Sequence, residues 1–209
     1  MSRPVFRRQG ILFVISAPSG TGKTTLCENL RATPDFIYSV SCTTRAPRPG
    51  EENGVDYHFL SEEDFLRRIE RGEMLEYARV HGKYYGTLKA TVKEALRQGT
   101  DVLLDIDVQG ATTVRQTDDV MVRDSLVDVF IMPPTPEELE KRLRKRGTET
   151  EEQVLLRLAT GREESKLWPL YKYTILSGSM EEDLMKFRAI MRAERYLSRR
   201  LELHDGAQA

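Results

Sequence analysis

The stretch VISAPSGTGKTTLCENL, residues 14–30, decides the fold class of this chain. It places an apolar strand pattern, a glycine-rich loop and a helix that opens with Lys-Thr in the order typical of a phosphate-binding loop. Gly20 and Gly22 let backbone N–H groups turn towards phosphate oxygens, and the helix from about Lys23 adds the positive end of its dipole. The common form of this loop begins with glycine, where this chain has Ala17. Alanine costs about 1–2 kcal/mol there only if the position needs a positive φ.

The loop and the first turn of the helix form the candidate site for a nucleotide. Lys23 is expected to reach the β- and γ-phosphates, and the Thr24 hydroxyl is expected to ligate Mg²⁺. The alternative, a glycine-rich loop that holds no ligand, is disfavoured because the loop lies between a strand and a helix. The predicted nucleotide-binding residues are Ala17, Pro18, Ser19, Gly20, Thr21, Gly22, Lys23, Thr24 and Thr25.

Apolar runs alternate with helical patterns along the rest of the chain. Buried strands are predicted over residues 11–16, 101–107, 126–132 and 173–177. Helices are predicted from Lys23, over 61–72, from 109, over 135–147 and over 181–203. This alternation predicts an α/β fold in which helices flank a central, mostly parallel sheet.

Two polar segments interrupt the alternation, and both are expected to be lobes on a single domain that spans residues 1–209. The segment 41–90 carries prolines and glycines, and the segment 142–165 is densely charged. Loops and lobes of this kind usually carry binding residues and closing motions. The core is accordingly assigned to residues 10–40, 91–141 and 166–209.

Composition excludes several classes of protein. The net charge of −1 and the pI near 6.4 give no general electrostatic case for a nucleic-acid or anionic-membrane partner. Two cysteines are too few for a disulfide framework, and no Cys/His spacing is typical of zinc. The apolar run at 11–16 is too short for a signal peptide or a membrane span, so a cytoplasmic location is expected.

Two aspartates follow the second predicted strand. A carboxylate such as Asp105, at the carboxyl end of a strand beside the phosphate loop, suits a water-mediated Mg²⁺ contact. An aspartate at a strand end can equally cap the next helix, and the sequence leaves both roles open. If the strand continues to Asp107, the two carboxylates point to the same face.

The segment VSCTTRAPRPGEENGVDYHFL, residues 40–60, holds a candidate second phosphate site. Arg45 and Arg48 supply guanidinium groups on a proline-stiffened loop, and Tyr57 supplies a phenol. Guanidinium and hydroxyl groups that converge can hold a phosphate group. Glu76 and the run YYGT at 84–87 add further polar groups to the same lobe.

These motifs together resemble the guanylate kinase family. The motifs SAPSGTGKTT, TTRAPRPGEENGVDYHF, EYARVHGKYYGT, DVLLDIDVQGA and RLRKRGTETEEQVLLRL follow one another in that family's order over about residues 11–158. The resemblance implies a P-loop kinase that transfers a phosphoryl group from ATP to GMP or dGMP and requires Mg²⁺. It also implies that family members can carry alanine at the position of Ala17.

The resemblance assigns roles by matched position. Arg45, Arg48, Tyr57 and Tyr85 would hold the GMP phosphate, while Ser41, Glu76, Thr87 and Asp107 would read the guanine and its surroundings. The metal assignment, to Thr24 and Asp105, follows from the loop pattern and the strand end described above and not from the resemblance. Glu76 has independent support, because a carboxylate can accept from guanine N1–H and from its 2-amino group, and adenine lacks both donors.

The charged segment 142–165 resembles the family's lid, in which Arg146 and Arg157 close over the ATP phosphates and join Lys23 and Arg48 as catalytic residues. A basic helical run is also compatible with a solvated face paired to its own glutamates, and Arg142, Arg144 and Lys145 are open to that interpretation. No general base is expected, because a GMP phosphate oxygen is already an anionic nucleophile. Ser177 and Gly178 stand where family members usually carry Asn-Asp, which leaves donor selectivity open.

Two other functions remain as alternatives. One is a non-catalytic binding module of the kind that binds phosphorylated peptides in scaffolding proteins, although Lys23, Thr24, Arg146 and Arg157 argue for an enzyme. The other is a kinase that acts on another phosphorylated acceptor, such as a ribose bisphosphate, against which Glu76 argues. The oligomeric state is open, and a homo-oligomer is one possibility.

Overall fold

A computed structural model describes residues 5–18, 21–33, 35–80, 82–145 and 150–204. The elements follow in the order β1 (Val5–Arg8), β2 (Leu12–Ser16), α1 (Lys23–Arg31), β3 (Ile37–Tyr38), β4 (Cys42–Thr43), β5 (His58–Phe59), α2 (Glu62–Glu70), β6 (Met74–Val80), β7 (Lys83–Leu88), α3 (Lys89–Arg97), β8 (Val102–Asp105), α4 (Val108–Arg115), α5 (Val120–Ser125), β9 (Leu126–Met132), α6 (Pro136–Lys145), α7 (Glu151–Ser165), β10 (Tyr173–Leu176), α8 (Met180–Arg195) and β11 (Leu201–His204).

The central sheet has five parallel strands in the order β10-β9-β2-β8-β3. Strand β2 lies in the middle, with Ile15 paired to Asp105 on one side and Ser16 paired to Phe130 on the other. The carboxyl ends of these strands therefore meet at one edge, beside the loop that follows β2. The predicted α/β fold with a mostly parallel sheet is confirmed.

Both faces of this sheet are buried, which explains the continuous apolar runs of its strands. Phe13 and Ile15 of β2 face one cluster, where Phe13 meets Phe187 of α8 edge to face. Leu12 and Val14 face the other cluster, which includes Val92 of α3. Strand β2 is fully buried over its whole length, so the phosphate loop follows directly from the core of the sheet.

A second, four-stranded sheet has the order β5-β4-β7-β6 and lies between residues 42 and 88. Strands β6 and β7 form its long antiparallel pair, and β4 pairs with β7. Helix α2 packs against it through Phe65, which is fully buried and stacks on Tyr84. This sheet has its own small core, which includes Cys42 and Met74.

Helices α6 and α7 pack on one another through Leu139, Leu143, Val154 and Leu158. Helix α6 begins after Thr135, whose hydroxyl accepts from the Glu138 backbone N–H at 3.1 Å. Helix α7 begins with a capping box between Thr150 and Gln153. In the described ranges, no helix has the length and apolar character needed to cross a membrane.

The predicted helix over 181–203 is wrong at its carboxyl end. Helix α8 ends at Arg195, and the chain then turns through Ser198–Arg200 into strand β11, which pairs antiparallel with β1. The turn is fixed by Arg200, which is buried and donates to the carboxylate of Glu194 at 3.1 Å and to the Asp124 carbonyl at 3.0 Å. A buried ion pair thus overrides the helical propensity of the sequence.

Candidate active site

The candidate site lies where the carboxyl edge of the parallel sheet faces the four-stranded sheet. A cavity of about 400 Å³ opens there. From the core it is lined by Thr24, Asp105 and Asp107, and from the other sheet and its loops by Ser41, Arg48, Tyr57, Glu76 and Tyr85. Eight residues that the sequence predicts for the acceptor or the metal thus surround one space. The two remaining predicted acceptor residues each contact a residue of the lining: Arg45 pairs with Glu51, and Thr87 donates to Glu76.

The phosphate loop is built from backbone geometry. Gly22 has φ of 99°, a left-handed conformation that glycine adopts without the strain of other residues. Thr21 closes the turn before it, because both its N–H and its hydroxyl donate to the Pro18 carbonyl. Gly22, the N-cap of α1, has no side chain that could cap the helix, and an uncapped helix start favours an anion. Ser19 and Gly20, also predicted here, lie outside the described residues.

Lys23 is held at the base of this loop by the end of strand β8. Its Nζ lies 2.6 Å from Asp105 Oδ1 and donates to the Ile106 carbonyl at 2.8 Å. Burial alone would lower the pKa of Lys23, but the Asp105 carboxylate outweighs burial, so the pKa is raised and the ammonium stays charged. A cation is therefore fixed beside the loop before any nucleotide arrives.

The two aspartates have different roles. Strand β8 ends at Asp105, which pairs with Lys23 and does not cap a helix. Asp107 is the N-cap of α4, and its side chain accepts from the Gly110 N–H at 2.8 Å. The strand does not continue to Asp107, so the two carboxylates do not share a strand face. Both nevertheless line the cavity.

Thr24 and Asp105 have the donor chemistry that Mg²⁺ prefers. A hydroxyl and a carboxylate are hard oxygen ligands, and Mg²⁺ usually takes one or two protein ligands and fills its remaining positions with water and substrate phosphates. Across the residues that the structure describes, no group of three or more His, Cys, Asp or Glu side chains could hold a metal by itself. Thr24 and Asp105 supply two ligands of this kind, so they fit a Mg²⁺ ion that is bound together with a nucleotide.

Glu76 projects into the cavity from β6 and is almost completely buried. The Thr87 hydroxyl, on the neighbouring strand, donates to its Oε1 at 2.6 Å. Burial raises the pKa of Glu76 to about 7, against the lowering effect of the Thr87 hydrogen bond. Its other oxygen lies against α4, because a Cβ at Gly110 would come within 2.5 Å of Oε2. Glycine at position 110 thus lets the helix approach the carboxyl group closely.

The arginine and tyrosine groups form a connected set on the opposite wall. Arg45 makes a two-pronged ion pair with Glu51, with both N···O distances at 2.9 Å. Glu51 also accepts from the Arg48 N–H at 2.7 Å, and these contacts hold the pKa of Glu51 below its ordinary value. The Arg45 guanidinium lies over the Tyr57 ring at 5.3 Å, and Tyr57 meets Tyr85 edge to face.

The charged segment contacts the phosphate loop from above. A Cβ at Gly161 of α7 would lie 3.7 Å from the Pro18 Cβ, one helical turn beyond Arg157. Arg144 pairs with Glu140 and Glu151 on the surface, as a solvated helix face would. Arg142 behaves differently, because its Nη1 donates to the Thr21 carbonyl at 2.8 Å. Arg146 lies outside the described residues.

Sequence reasoning missed three residues of this site. Glu51, six residues after Arg45 in a loop with two arginines, could have been found as their charge partner. Gly110 follows the aspartate-rich strand end in the motif DVQGA, but nothing in the sequence indicates that it faces Glu76. Arg142 is indistinguishable in sequence from its solvated neighbours. The structure distinguishes Arg142 from its neighbours by its contact with Thr21, which lies 121 positions away in the sequence.

Fold and site together define a class: an α/β protein of the phosphate-loop type, with a polar cavity beside the glycine-rich loop. The family model described as guanylate kinase matches residues 9–194. The guanylate kinase of Maricaulis maris is 46% identical, covering 92% of this chain and 88% of that protein. That of Syntrophotalea carbinolica is 45% identical over 96% of this chain and 93% of its own length. A crystal structure of guanylate kinase from Anaplasma phagocytophilum has a TM-score of 0.74 at 35% identity, covering 94% and 92% of the two chains.

The chain belongs to the guanylate kinase family. It is a phosphotransferase that phosphorylates GMP to GDP and uses ATP as the donor. The family suggested by the sequence motifs is confirmed, and both alternatives, the non-catalytic binding module and the kinase for another acceptor, are set aside.

Proposed function

We propose that ATP binds at residues 17–25, that GMP binds in the cavity between the two sheets, and that phosphate passes between them beside Asp105. The observation that carries this proposal is that Thr24 and Asp105 line the same cavity as Glu76. A donor held by the loop and an acceptor held by the cavity would therefore share one wall. Placing both reactants in one fixed geometry supplies much of the rate of a phosphoryl transfer.

Guanine recognition rests on Glu76. Its buried carboxylate would accept from N1–H and from the 2-amino group, while Thr87 orients it by donating to Oε1. Ser41 and Asp107 line the same end of the cavity and would contact the rest of the base. These contacts address the base and none requires the 2′-hydroxyl, so dGMP is proposed as a second acceptor.

The GMP phosphate would lie against Arg45, Arg48, Tyr57 and Tyr85. Burial, followed by the nearby Asp105 charge, raises the pKa of Tyr57, which keeps its phenol protonated as a hydrogen-bond donor. Arg45 is already oriented by its two-pronged contact with Glu51. Two guanidiniums and two phenols would hold the acceptor phosphate with its free oxygen towards the donor.

In the transfer step, an oxygen of the GMP phosphate attacks the γ-phosphorus of ATP. A new P–O bond forms as the bond between the γ-phosphorus and the β-γ bridging oxygen breaks, and ADP leaves with that oxygen. The attacking oxygen is already anionic, so no side chain need remove a proton. Lys23, Arg146 and Arg157 are proposed to neutralise charge on the transferring group.

Closure of the lid completes the site. The proposed lid is residues 142–165, and the proposed acceptor lobe is residues 41–90, both hinged on the core segments 10–40, 91–141 and 166–209. Closure would bring arginines over the phosphates and exclude water, which otherwise competes as the acceptor. Close packing of Gly161 on Pro18 supports contact between this segment and the phosphate loop.

Mg²⁺ is the proposed cofactor, with Thr24 and Asp105 as the residues that would hold it. When bound, it neutralises negative charge on the donor phosphates. Asp105 also pairs with Lys23, so this one carboxylate would orient the ammonium and the metal's water shell together.

The cytoplasm is the proposed location, with no nucleic-acid or membrane partner. Cys27 and Cys42 are free and buried thiols, which fits a reducing compartment. The net charge of −1 provides no general attraction to polyanions.

An acceptor panel tests the proposed site. Kinase activity with ATP and Mg²⁺ is measured on GMP, dGMP, AMP, UMP and a ribose bisphosphate, for the wild type, Glu76→Gln and Glu73→Gln. We expect kcat/KM for GMP to fall about 100-fold in Glu76→Gln, because a charged acceptor of two hydrogen bonds is lost. Glu73→Gln is the matched control, since Glu73 lies in the same lobe and pairs with Arg68 at the surface. A Glu76→Gln enzyme with unchanged GMP kinetics would contradict the assignment.

A further inference from the structure

A continuous hydrogen-bond path joins the amino end of α8 to the phosphate loop. Asp183 of α8 accepts from the Ser177 hydroxyl, with 2.9 Å between Oδ2 and Oγ. Ser177 Oγ lies 3.2 Å from Arg142 Nη1, and the same nitrogen donates to the Thr21 carbonyl at 2.8 Å. The path therefore runs from a carboxylate through a hydroxyl and a guanidinium to a backbone oxygen.

The direction of every hydrogen bond in this path is fixed by chemistry. A guanidinium only donates, so Ser177 must accept from Arg142. A hydroxyl has a single proton, so Ser177 must give it to Asp183. The carboxylate thus orients the hydroxyl lone pair towards the arginine, and each member has one role that the others require.

Burial makes the Ser177–Asp183 end of the path rigid. Ser177 is 5% exposed and Asp183 is 4% exposed, so water has little access to either side chain. Asp183 is also held by the Gly178 N–H at 2.9 Å and has Lys186 Nζ 3.8 Å from Oδ1. A buried carboxylate with these partners stays in one position, because leaving any of them unpaired is costly.

Arg142 belongs to α6 and is the first residue of the proposed lid. Its Nε donates to Glu138 Oε1 at 3.1 Å, one turn earlier in the same helix, so the side chain is held along α6 as well as at the phosphate loop. The residue connects three parts of the chain: the helix pair α6–α7, the loop after β10 and the turn at Thr21. The outer arginine Arg144, by comparison, pairs with exposed glutamates of α6 and α7 in the part of the chain that the structure describes.

We propose that Asp183 and Ser177 are positioning residues for the donor site, which hold Arg142, and with it the base of the lid, against the backbone of the phosphate loop before ATP binds. This inference rests on the proposed binding of ATP at residues 17–25. Without the pair, Arg142 loses one of its two Nη1 acceptors and the loop must be ordered when ATP binds, at a cost in affinity. The acceptor cavity lies across the site and keeps its contacts.

The test compares Ser177→Ala and Asp183→Asn with the wild type in steady-state kinetics. We expect KM for ATP to rise about fivefold in each variant, as for one lost hydrogen bond to a charged group, with kcat and KM for GMP changed less than twofold. The double variant should match the single variants, because either change breaks the same path. Ser179→Ala is the matched control: it weakens the cap of α8 without touching Arg142.

A second arm asks whether the effect passes through the arginine. In an Arg142→Ala background, adding Ser177→Ala or Asp183→Asn should cause no additional rise in KM for ATP. If the two changes acted by loosening α8 in general, they would raise KM for ATP in this background as well. Persistence of the fivefold rise in that background, a KM for ATP at wild-type level in Ser177→Ala, or a fall in that KM would each overturn the proposal. Lys23→Met provides the separate check: if it retains normal kcat, the assignment of ATP to the loop fails, and the inference fails with it.

Discussion

The proposed donor side and the proposed acceptor side of the site are built in different ways. The phosphate loop lies between β2 and α1, and its proposed anion site consists of backbone N–H groups, the Gly22 conformation and one lysine. The acceptor cavity has no such local unit. Its walls come from separate elements: Glu76 from β6, Tyr85 from β7, Tyr57 from a loop and Asp107 from the cap of α4.

This difference has physical consequences. A site made of backbone groups tolerates side-chain changes except where a glycine conformation or a charge is required. A site made of side chains from several strands depends on the packing behind each one, as Gly110 behind Glu76 illustrates. Substitutions on the donor side should therefore act through charge, and those on the acceptor side through position and protonation.

The largest effect is expected on the donor side, from Lys23→Met. The change removes the cation that faces the phosphates, and we expect kcat to fall about 10²–10³-fold, as when a single transition-state hydrogen-bond donor is removed. KM for GMP should change far less than kcat, since Lys23 is not among the described residues that line the cavity and affects Glu76 only through its charge. Lys166→Met is the control, because that lysine pairs only with exposed Glu163 in the described contacts. Near-normal kcat in Lys23→Met would remove the distinction between the two sides.

Protonation of Glu76 should produce the next largest effect, and only on the acceptor side. Because the pKa of Glu76 is raised to about 7, the carboxyl is mostly protonated at pH 6 and mostly ionised at pH 8. Guanine needs the ionised form, so kcat/KM for GMP should fall about tenfold from pH 8 to pH 6. The measurement is kcat/KM for GMP against pH, with ATP saturating.

The GMP phosphate also titrates, at a pKa of about 6, so a second variant is needed. The Thr87 hydrogen bond lowers the pKa of Glu76, and Thr87→Val should therefore move the midpoint to higher pH. Substrate titration is the same for both enzymes and cannot cause that shift. Superimposable profiles for wild type and Thr87→Val would show that Glu76 does not control the acceptor step.

Gly110→Ala tests the packing behind the acceptor side. The new Cβ would lie 2.5 Å from Glu76 Oε2, so the buried carboxyl must move away from its position beside Thr87. We expect KM for GMP to rise about fivefold, with KM for ATP unchanged, because a misplaced hydrogen bond costs about 1 kcal/mol. Gln109→Ala, an exposed change in the same turn, is the control. Equal changes in both KM values would indicate a general effect on α4.

The smallest effect is expected from Arg144→Gln, on the surface of the charged segment. Arg144 is paired with exposed Glu140 and Glu151, and surface ion pairs of this kind contribute little. KM for ATP and kcat should both change less than twofold, and the melting temperature should stay within about two degrees. A large rise in KM for ATP would place Arg144 among the donor-side residues and weaken the contrast with Arg142.

Much of the fold could be predicted, because it is encoded locally. Residues 126–132 read as an apolar run and form β9 with those bounds, and Lys23 begins α1 as the loop pattern indicates. The helix predicted to 203 failed because its end is set by Arg200 and Glu194, and by pairing with a strand nearly 200 positions away. Periodicity within a window cannot register either contact.

The site residues show the same division. Arg45, Tyr57 and Glu76 could be nominated from their motifs; their roles are proposals, and the variants above test that of Glu76. Glu51 could have been predicted from the charge pattern of its loop, as the partner of a nearby arginine. Gly110 and Arg142 were not, since a glycine and one arginine among several carry no local signal of what they face.

By itself the sequence determined the α/β class, the phosphate loop and the family, because strand periodicity, glycine spacing and helix caps act between neighbouring residues. Only the tertiary structure decided that Asp107 caps α4 while Asp105 pairs with Lys23. It alone brought Arg142, Ser177 and Asp183 into one path to the loop at Thr21. Contacts between distant parts of the chain depend on how whole elements pack, and polar groups that this packing removes from water must find partners within the protein.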